Sequence, residues 1–155
     1  MWIVRPRDVG RVEYGRMVRD GVISTVLPGH ATPADVVASS AIRRHVLAAM
    51  VPAGGQATGL AALWALGVGP APAVIDVRYD PRRRLGVRRG SIPVIGHATG
   101  LAQPALTEAG SQPTIACAAV AAADALRWAP RGKAAVVIAD AVRDGLIDAG
   151  ELRVA

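Results

Sequence analysis

The sequence contains no phenylalanine, and its 155 residues include only 3 Trp and 2 Tyr. Aromatic side chains bury the most apolar surface per residue, so a core built around them is excluded. Apolar residues nevertheless make up 52% of the chain, and 31 residues are alanine, which excludes wholesale disorder. We therefore expect one domain, or one domain with a small appendage, built from closely packed helices of modest stability.

Cysteine is nearly absent, since Cys117 is the only one. A single cysteine cannot form an internal disulfide and does not support a cysteine-based zinc cluster. Cys117 lies in the apolar stretch Ile115–Ala119, which predicts a buried, unreactive thiol. The histidines His30, His45 and His97 are widely separated, so no metal site and no cofactor are predicted.

The chain also lacks an uninterrupted hydrophobic run. Met1–Arg7 contains no continuous apolar region, so a secretory signal is not expected and a cytoplasmic location is predicted. No formal charge falls between Val46 and Ile75, a span longer than the ~20 residues that cross a bilayer. Glycines and prolines interrupt this span and would leave backbone groups unpaired in lipid. Two short core helices are expected there, and no membrane partner.

Negative charge is scarce in the first part of the chain. Residues 1–91 carry 13 Arg against 6 acidic residues, a net charge of +7. Residues 92–155 carry 4 Arg and 1 Lys against 6 acidic residues, a net charge of −1. A high-GC genome explains why arginine replaces lysine, but it does not explain this segregation. The segregation favours an anionic partner for the first part of the chain.

The N-terminal segment predicts a helix followed by two strands. The helix covers Val9–Arg19 and ends at Asp20-Gly21, since glycine accepts the left-handed conformation that follows a helix. β-Branched residues predict a strand over Val22–Leu27. The Pro28-Gly29 turn then predicts a short return strand.

Two helices are expected next. Thr32-Pro33 provides a cap and a first helical residue for a helix to about Met50, with Arg43–His45 pointing outward. A mostly apolar helix over Ala57–Leu66 is expected to be buried. The overlapping segment Gly54–Gly59 resembles a phosphate-binding loop but lacks the Gly-Lys-Ser/Thr ending, so a helix-start turn is the favoured interpretation.

The middle of the chain predicts a small antiparallel sheet with an arginine-rich tip. Its strands would cover residues 73–79, 85–89 and 91–95, with a charged turn over 80–84. Residues 96–112 show no regular pattern.

The last part predicts two helices, Thr114–Trp128 and Lys133–Asp144. Gly145 ends the second helix, and Asp148 is expected to cap a final short helix through Leu152.

No catalytic centre is predicted. The closest acidic pair is Asp76 and Asp80, which would share one face if the strand continued that far. A nuclease site is the enzymatic alternative that this pair keeps open. No third acidic residue or lysine follows in register.

The arginines are the stronger indication of function. A helix carrying Arg11, Arg16 and Arg19, followed by a hairpin, is the layout of the second half of a winged helix–turn–helix, whose helix enters the major groove. We expect Arg11 and Arg16 to contact the groove and Arg19 to contact phosphates. The remaining candidate DNA-binding residues lie at the tip of the expected sheet, where arginine holds phosphates or protects a sheet edge: Arg82, Arg83, Arg84, Arg88 and Arg89.

Three stretches, in order and over nearly the whole chain, resemble the AbiEi-type antitoxins of actinobacterial type IV toxin–antitoxin systems. Tyr14–Gly29 resembles the family's recognition helix and wing. Gly54–Gly67 resembles its helix with the pattern Ala-Ala-x-Leu/Trp-x-x-Gly-Leu. Ala135–Leu152 resembles its closing segment, and Pro113-Thr114 resembles its helix start. The resemblance is to a truncated form, since few residues precede the recognition helix.

This resemblance implies an α/β (α+β) fold. A partial winged helix–turn–helix segment would cover residues 1–31, and an antitoxin-like helical domain with a small antiparallel sheet would cover residues 32–155. It implies a non-enzymatic autoregulator that binds double-stranded DNA at its own promoter and functionally opposes a nucleotidyltransferase toxin. A homodimer would predict a palindromic site.

The sequence leaves one further functional alternative. The chain would be a protein-interaction module whose DNA-binding half has decayed. Exposed apolar surface around Trp2 or Trp128 would be its expected mark.

Overall fold

The computed structural model describes residues 2–82, 84–86, 92–99, 115–148 and 150. Mixed helices and small sheets make up the described part, which agrees with the predicted α/β class. The elements in chain order are α1 (Pro6–Val9), α2 (Arg11–Arg19), β1 (Ile23–Leu27), β2 (His30–Pro33), α3 (Ser40–Met50), β3 (Gly55–Thr58), α4 (Gly59–Ala65), β4 (Ile75–Tyr79), β5 (Val94–Ala98), α5 (Ala118–Trp128) and α6 (Arg131–Arg143).

Two helices and a hairpin form the N-terminal unit. The helix expected from Val9 onward is divided at Gly10, whose φ of 87° breaks the helical path between α1 and α2. The predicted end of α2 is confirmed, because Gly21 has a φ of 70° and Val22 N donates to Met17 O at 2.9 Å. The hairpin of β1 and β2 is also confirmed, with Gly29 at a φ of 77° in its turn.

The residues before α1 extend this hairpin. Val4 and Ala31 exchange two backbone hydrogen bonds, at 2.8 and 3.0 Å. Val4 therefore runs antiparallel to β2, on the side opposite β1. This pairing fixes the start of the chain against the hairpin.

The predicted helix start at Thr32-Pro33 is wrong. Both residues belong to β2, where Thr32 pairs with Ser24 and Pro33 with Ile23. The helix begins at Ser40 instead, and Ser39 caps it by accepting a hydrogen bond from Ile42 N at 3.4 Å. Thr32 and Ser39 are both polar residues that can cap a helix. Thr32 pairs with β1 and therefore belongs to the sheet. Sequence pattern alone does not contain that pairing.

Arg43 also departs from its expected outward position. Its Nε donates to Ala38 O at 3.0 Å, and its guanidinium lies 5.6 Å from the centre of the Trp64 ring. His45 is exposed, as expected, and Arg44 is half-buried.

The second sheet is not the antiparallel one that the sequence predicts. Its order is β3-β4-β5, with β3 antiparallel and β5 parallel to β4. The strand β4 is confirmed, but β3 forms from Gly55–Thr58, which the sequence assigned to a helix-start turn. Leu85 and Gly86 are not in a strand, and residues 87–91 lie outside the described residues. Gly55 permits this packing, since a Cβ there would overlap the Val77 side chain.

A core of small aliphatic residues holds these elements together. α4 is buried on nearly all sides and packs on α3, α5 and α6. Alanines on α5 allow the close approach that the composition predicts, and Ala121 and Ala122 are fully buried. Val26 and Leu27 of β1 belong to the same core. The predicted domain boundary between residues 31 and 32 falls inside β2.

Both predicted C-terminal helices are present, but α5 begins at Ala118 rather than Thr114, because Ile115 pairs with Ala57 of β3. α5 begins after Cys117, which is half-buried rather than fully buried. α6 ends before Gly145, whose φ is 69°, and Leu146 N closes the end by donating to Ala141 O at 2.9 Å. Asp148 Oδ1 accepts a hydrogen bond from Gly150 N at 2.8 Å, and the rest of the expected last helix lies outside the described residues.

Within the ranges that the structure describes, no helix combines the length and the apolarity that crossing a bilayer requires.

Candidate nucleic-acid interface

The predicted arginines of α2 lie on one exposed face of that helix. At 3.6 residues per turn, one arc of about 140° holds five α2 positions. These are Arg11, Val12, Gly15, Arg16 and Arg19, and all five are exposed. Tyr14 and Met17 point the other way and are half-buried. The outward face of α2 therefore combines three cations with Val12, which is 89% exposed, and with a glycine that has no side chain.

Two of these arginines share one carboxylate. Arg16 Nε lies 3.5 Å from Asp20 Oδ2, and Arg19 Nε lies 4.0 Å from Asp20 Oδ1. Exposed pairs of this kind contribute roughly 0–1 kcal/mol, so an incoming phosphate can replace Asp20 at little cost. Arg11 has no ion pair with any residue that the structure describes.

A basic cleft opens beside the start of α2. It has a volume of about 400 Å³ and lies between α1, the start of α2, the β1–β2 turn and the last turn of α3. We call it the basic cleft, and its lining residues are Arg5, Pro6, Arg7, Arg11, Gly29, His30 and Ala49. No acidic residue lines it.

Local backbone structure positions Arg5 in this cleft. The Val4–Ala31 pairing fixes the preceding residue. Arg5 N donates to Asp8 Oδ2 at 2.9 Å, and Arg5 O accepts from Asp8 N at 2.9 Å. Asp8 also lies 3.7 Å from Arg7 Nε through its other oxygen. The Arg5 Nε atom is buried and has no hydrogen-bond partner among the described residues.

The predicted arginine turn after β4 is only partly described. Asp80 Oδ1 accepts a hydrogen bond from Arg82 N at 2.9 Å, and Arg82 and Arg84 are exposed. Arg83, Arg88 and Arg89 lie outside the described residues.

The same turn is tied to the loop that follows α3, since Gly86 N donates to Ala53 O at 3.0 Å. Ala49 lines the basic cleft and precedes Ala53 by four residues. Arg84 and the arginines of the basic cleft therefore lie near the same C-terminal end of α3.

The site predicted from the sequence did not include Arg5, Arg7 or His30. The Arg-Pro-Arg run of residues 5–7 was a usable signal, since proline at the start of α1 presents its neighbours from a fixed backbone. Nothing local marks His30. It reaches the cleft because the hairpin turns at Gly29.

A second group of polar residues, the buried polar layer, lies between the β3-β4-β5 sheet and α5. We define it as Thr58, Asp76, Arg78, His97 and Asp124. Thr58 Oγ1 donates to Asp124 Oδ2 at 2.6 Å, and Arg78 Nε lies 3.5 Å from the same oxygen. The Arg78 and Asp124 side chains are 10% and 8% exposed. This half of the layer is a buried ion pair with an added hydroxyl.

The other half of the layer holds a histidine. His97 Nε2 lies 2.8 Å from Asp76 Oδ1, and the His97 ring stacks on Trp128 with centroids 3.7 Å apart. The alternation in β4 brings Asp76 and Arg78 to one face. Their partners lie 21 and more residues away and were not predictable.

The acidic pair expected for a nuclease takes a different form. β4 ends at Tyr79, so Asp80 lies in the turn and Asp76 faces His97. In the part of the chain that the structure describes, no three His, Cys, Asp or Glu residues are grouped as a metal site would require.

Comparisons of this chain with protein-family models, with curated proteins and with solved structures find no match. Three features of the structure therefore indicate a function: the exposed face of α2, the basic cleft and the arginine turn.

Proposed function

We propose that this chain is a non-enzymatic, DNA-binding autoregulator of the antitoxin type. It would bind double-stranded DNA at its own promoter and oppose a nucleotidyltransferase toxin. The observation that carries the proposal is the exposed face of α2, on which Arg11, Arg16 and Arg19 lie together beside a hairpin.

The order of elements supports a winged-helix arrangement. Two helices joined at a glycine, followed directly by a β-hairpin, correspond to the turn, recognition helix and wing of that motif. The pairing of Val4 with β2 adds an antiparallel β-bridge immediately before the helices. The single turn of α1 corresponds to a shortened first element.

The chemistry of the α2 face suits a major groove. Arginine reads guanine through two hydrogen bonds, and apolar groups contact the thymine methyl. Arg16 and Arg11 would supply the first kind of contact and Val12 the second. Gly15 lets the helix backbone approach the bases, since no atom lies within 4 Å of a Cβ placed there. Arg19 and the arginine turn would contact phosphates, which fix register but do not read sequence.

Fluorescence anisotropy tests the proposal directly. The protein is titrated into the duplex from upstream of its own gene and into a scrambled duplex of equal composition, at two salt concentrations. We expect a preference for the first duplex that persists at the higher salt. Equal and salt-sensitive binding to both duplexes would mean a basic surface without sequence recognition, and no binding would overturn the proposal.

One observation favours the protein-interaction alternative. Trp2 is 82% exposed and immediately precedes the residues that pair with β2, whereas Trp128 is stacked against His97. If the chain acts by protein contact, the product of a neighbouring gene should co-purify with it, and Trp2→Ser should abolish that association. Unchanged DNA titrations for Trp2→Ser would separate the two functions.

A further inference from the structure

The basic cleft is lined by Arg5 and Arg7, to which the sequence pattern assigned no role. We propose that the cleft is a phosphate-binding site in which Arg5 and Arg7 hold the anion, with Arg11 at the edge that faces the groove. This deepens the proposed function and rests on it for the source of the phosphate, which would be the DNA backbone. The same chemistry would hold a free phosphorylated small molecule, and the experiment below distinguishes the two sources.

The charge distribution is the first argument. Three arginines and a histidine line the cleft, and none of its lining residues is acidic. The carboxylate of Asp8 engages the Arg5 backbone and the Arg7 side chain. Arg5 and Arg11 have no ion pair among the described residues. Like charges that converge in a concave site raise the local concentration of anions.

Hydrogen bonding is the second argument. The Arg5 Nε donor is buried and has no partner among the described residues, although buried donors are nearly always paired in native proteins. A guanidinium presents its donors as a planar fork that matches two oxygens of one phosphate. A phosphate that draws the Arg5 guanidinium into the cleft would give this donor a partner.

Size and position favour a phosphodiester over a bare ion. The cleft has a volume of about 400 Å³, within the range of roughly 300–1,000 Å³ of sites for organic ligands. Arg11 is the first residue of α2, and Gly29 belongs to the hairpin turn. A strand of DNA that passes between the recognition helix and the wing would therefore lay its backbone in this cleft.

The test compares Arg5→Gln with Arg127→Gln, an exposed arginine on α5 that serves as the matched control. Arg7→Gln repeats the test at an exposed side chain, where the substitution is not expected to disturb folding. For each protein we measure affinity for the promoter duplex and the scrambled duplex by anisotropy at several salt concentrations. We also titrate each protein with inorganic phosphate and with a nucleoside monophosphate by calorimetry.

We expect Arg5→Gln and Arg7→Gln to weaken binding to both duplexes by the same factor, about tenfold. The slope of log affinity against log salt should fall by about one, as for the loss of one phosphate contact. The ratio of promoter to scrambled affinity should stay constant, and Arg127→Gln should behave as wild type.

The other outcomes are distinct. Wild-type binding to DNA with no effect of either cleft variant would overturn the cleft and leave the proposed function standing. Saturable binding of the nucleoside monophosphate, lost in Arg5→Gln and without DNA binding, would support the cleft as a site for free phosphate compounds and overturn the proposed function. Absence of both kinds of binding would overturn both.

Discussion

Arginine is used in opposite ways in two regions of this molecule. In the buried polar layer, Arg78 lies beside Asp124, and Asp76 lies beside His97. On α2 and in the basic cleft, Arg11 and Arg5 lack ion pairs within the described residues, and Arg16 and Arg19 share one exposed carboxylate. Buried and paired charges contribute to the fold. Converging charges without partners are available to a ligand, which is why we place the function at the N-terminal end.

The substitution with the largest expected effect on stability is Asp124→Ala. The substitution leaves Arg78 buried without its carboxylate and removes the acceptor of the Thr58 hydroxyl. Breaking a buried pair from one side costs about 3–5 kcal/mol, and we expect a loss of that size in the free energy of unfolding, measured by urea denaturation.

Asp140→Ala is the matched control, because Asp140 pairs with Arg143 at 2.8 Å on the exposed side of α6. Its loss should stay below about 1 kcal/mol. Equal losses in the two variants would show that the buried polar layer does not stabilise the fold. Under conditions where both variants are folded, DNA affinity should match wild type.

The next effect is on recognition rather than stability. Arg16→Ala should reduce the preference for the promoter duplex over the scrambled duplex by about 1–3 kcal/mol, the value of one arginine–guanine contact. Arg19→Ala should weaken both duplexes equally. Anisotropy with the two duplexes separates these outcomes, and uniform weakening by Arg16→Ala would contradict the groove contact assigned to Arg16.

Gly15→Ala should raise the stability of the fold and lower the affinity for DNA, so it separates the two properties. Nothing lies within 4 Å of a Cβ at this position, and alanine in a helix interior gains about 0.5–1 kcal/mol over glycine. The unfolding midpoint should rise, while affinity for the promoter duplex should fall because the methyl group holds the α2 backbone away from the bases.

Gly132→Ala in α6 is the control for that experiment, since its surroundings are equally open. It should leave DNA binding unchanged. A Gly15→Ala protein that binds DNA as tightly as wild type would indicate that this face of α2 does not enter a groove.

The smallest expected effect is a loss of stability at alkaline pH, and it involves Tyr14. Burial raises the pKa of Tyr14 above its ordinary value of about 10, and interaction with the Thr25 side chain opposes part of that rise. A raised folded-state pKa gives a contribution to stability that is complete below pH 10 and is lost as the pH rises through the folded-state pKa. From about pH 10 upward, wild type should lose stability relative to Tyr14→Phe.

Tyr14 is only half-buried, so we expect the difference in the free energy of unfolding to be small. Urea denaturation of both proteins at pH 8 and above pH 10 measures it. Parallel curves across the two conditions would mean that Tyr14 does not titrate differently in the folded protein.

Local pattern predicted much of this fold. β1, β4, α5 and α6 follow from β-branched runs and from helical spacing, and their agreement reflects strong local preference. The end of α6 at Gly145 follows from the conformation that glycine alone accepts easily. The grouping of Arg11, Arg16 and Arg19 on one face follows from helical periodicity.

The remaining features depend on pairing between distant segments. Gly55–Thr58 has no strong strand preference and becomes a strand because β4 lies beside it. The parallel alignment of β5 and the contacts of Asp124 with Thr58 and Arg78 depend on how α5 crosses the sheet, which no local spacing encodes. The basic cleft was not predicted for the same reason, since His30 reaches it through the hairpin.

The burial of Val26 and Leu27 in the common core has an evolutionary consequence. Tandem domains are exchanged between genes because a linker can be cut without exposing either core. A cut after β2 would remove two side chains from the core of the remaining chain. The N-terminal unit and the helical part should therefore be inherited together. Under the proposed function, selection for a new DNA site would act by substitution on the α2 surface rather than by exchange of the whole unit.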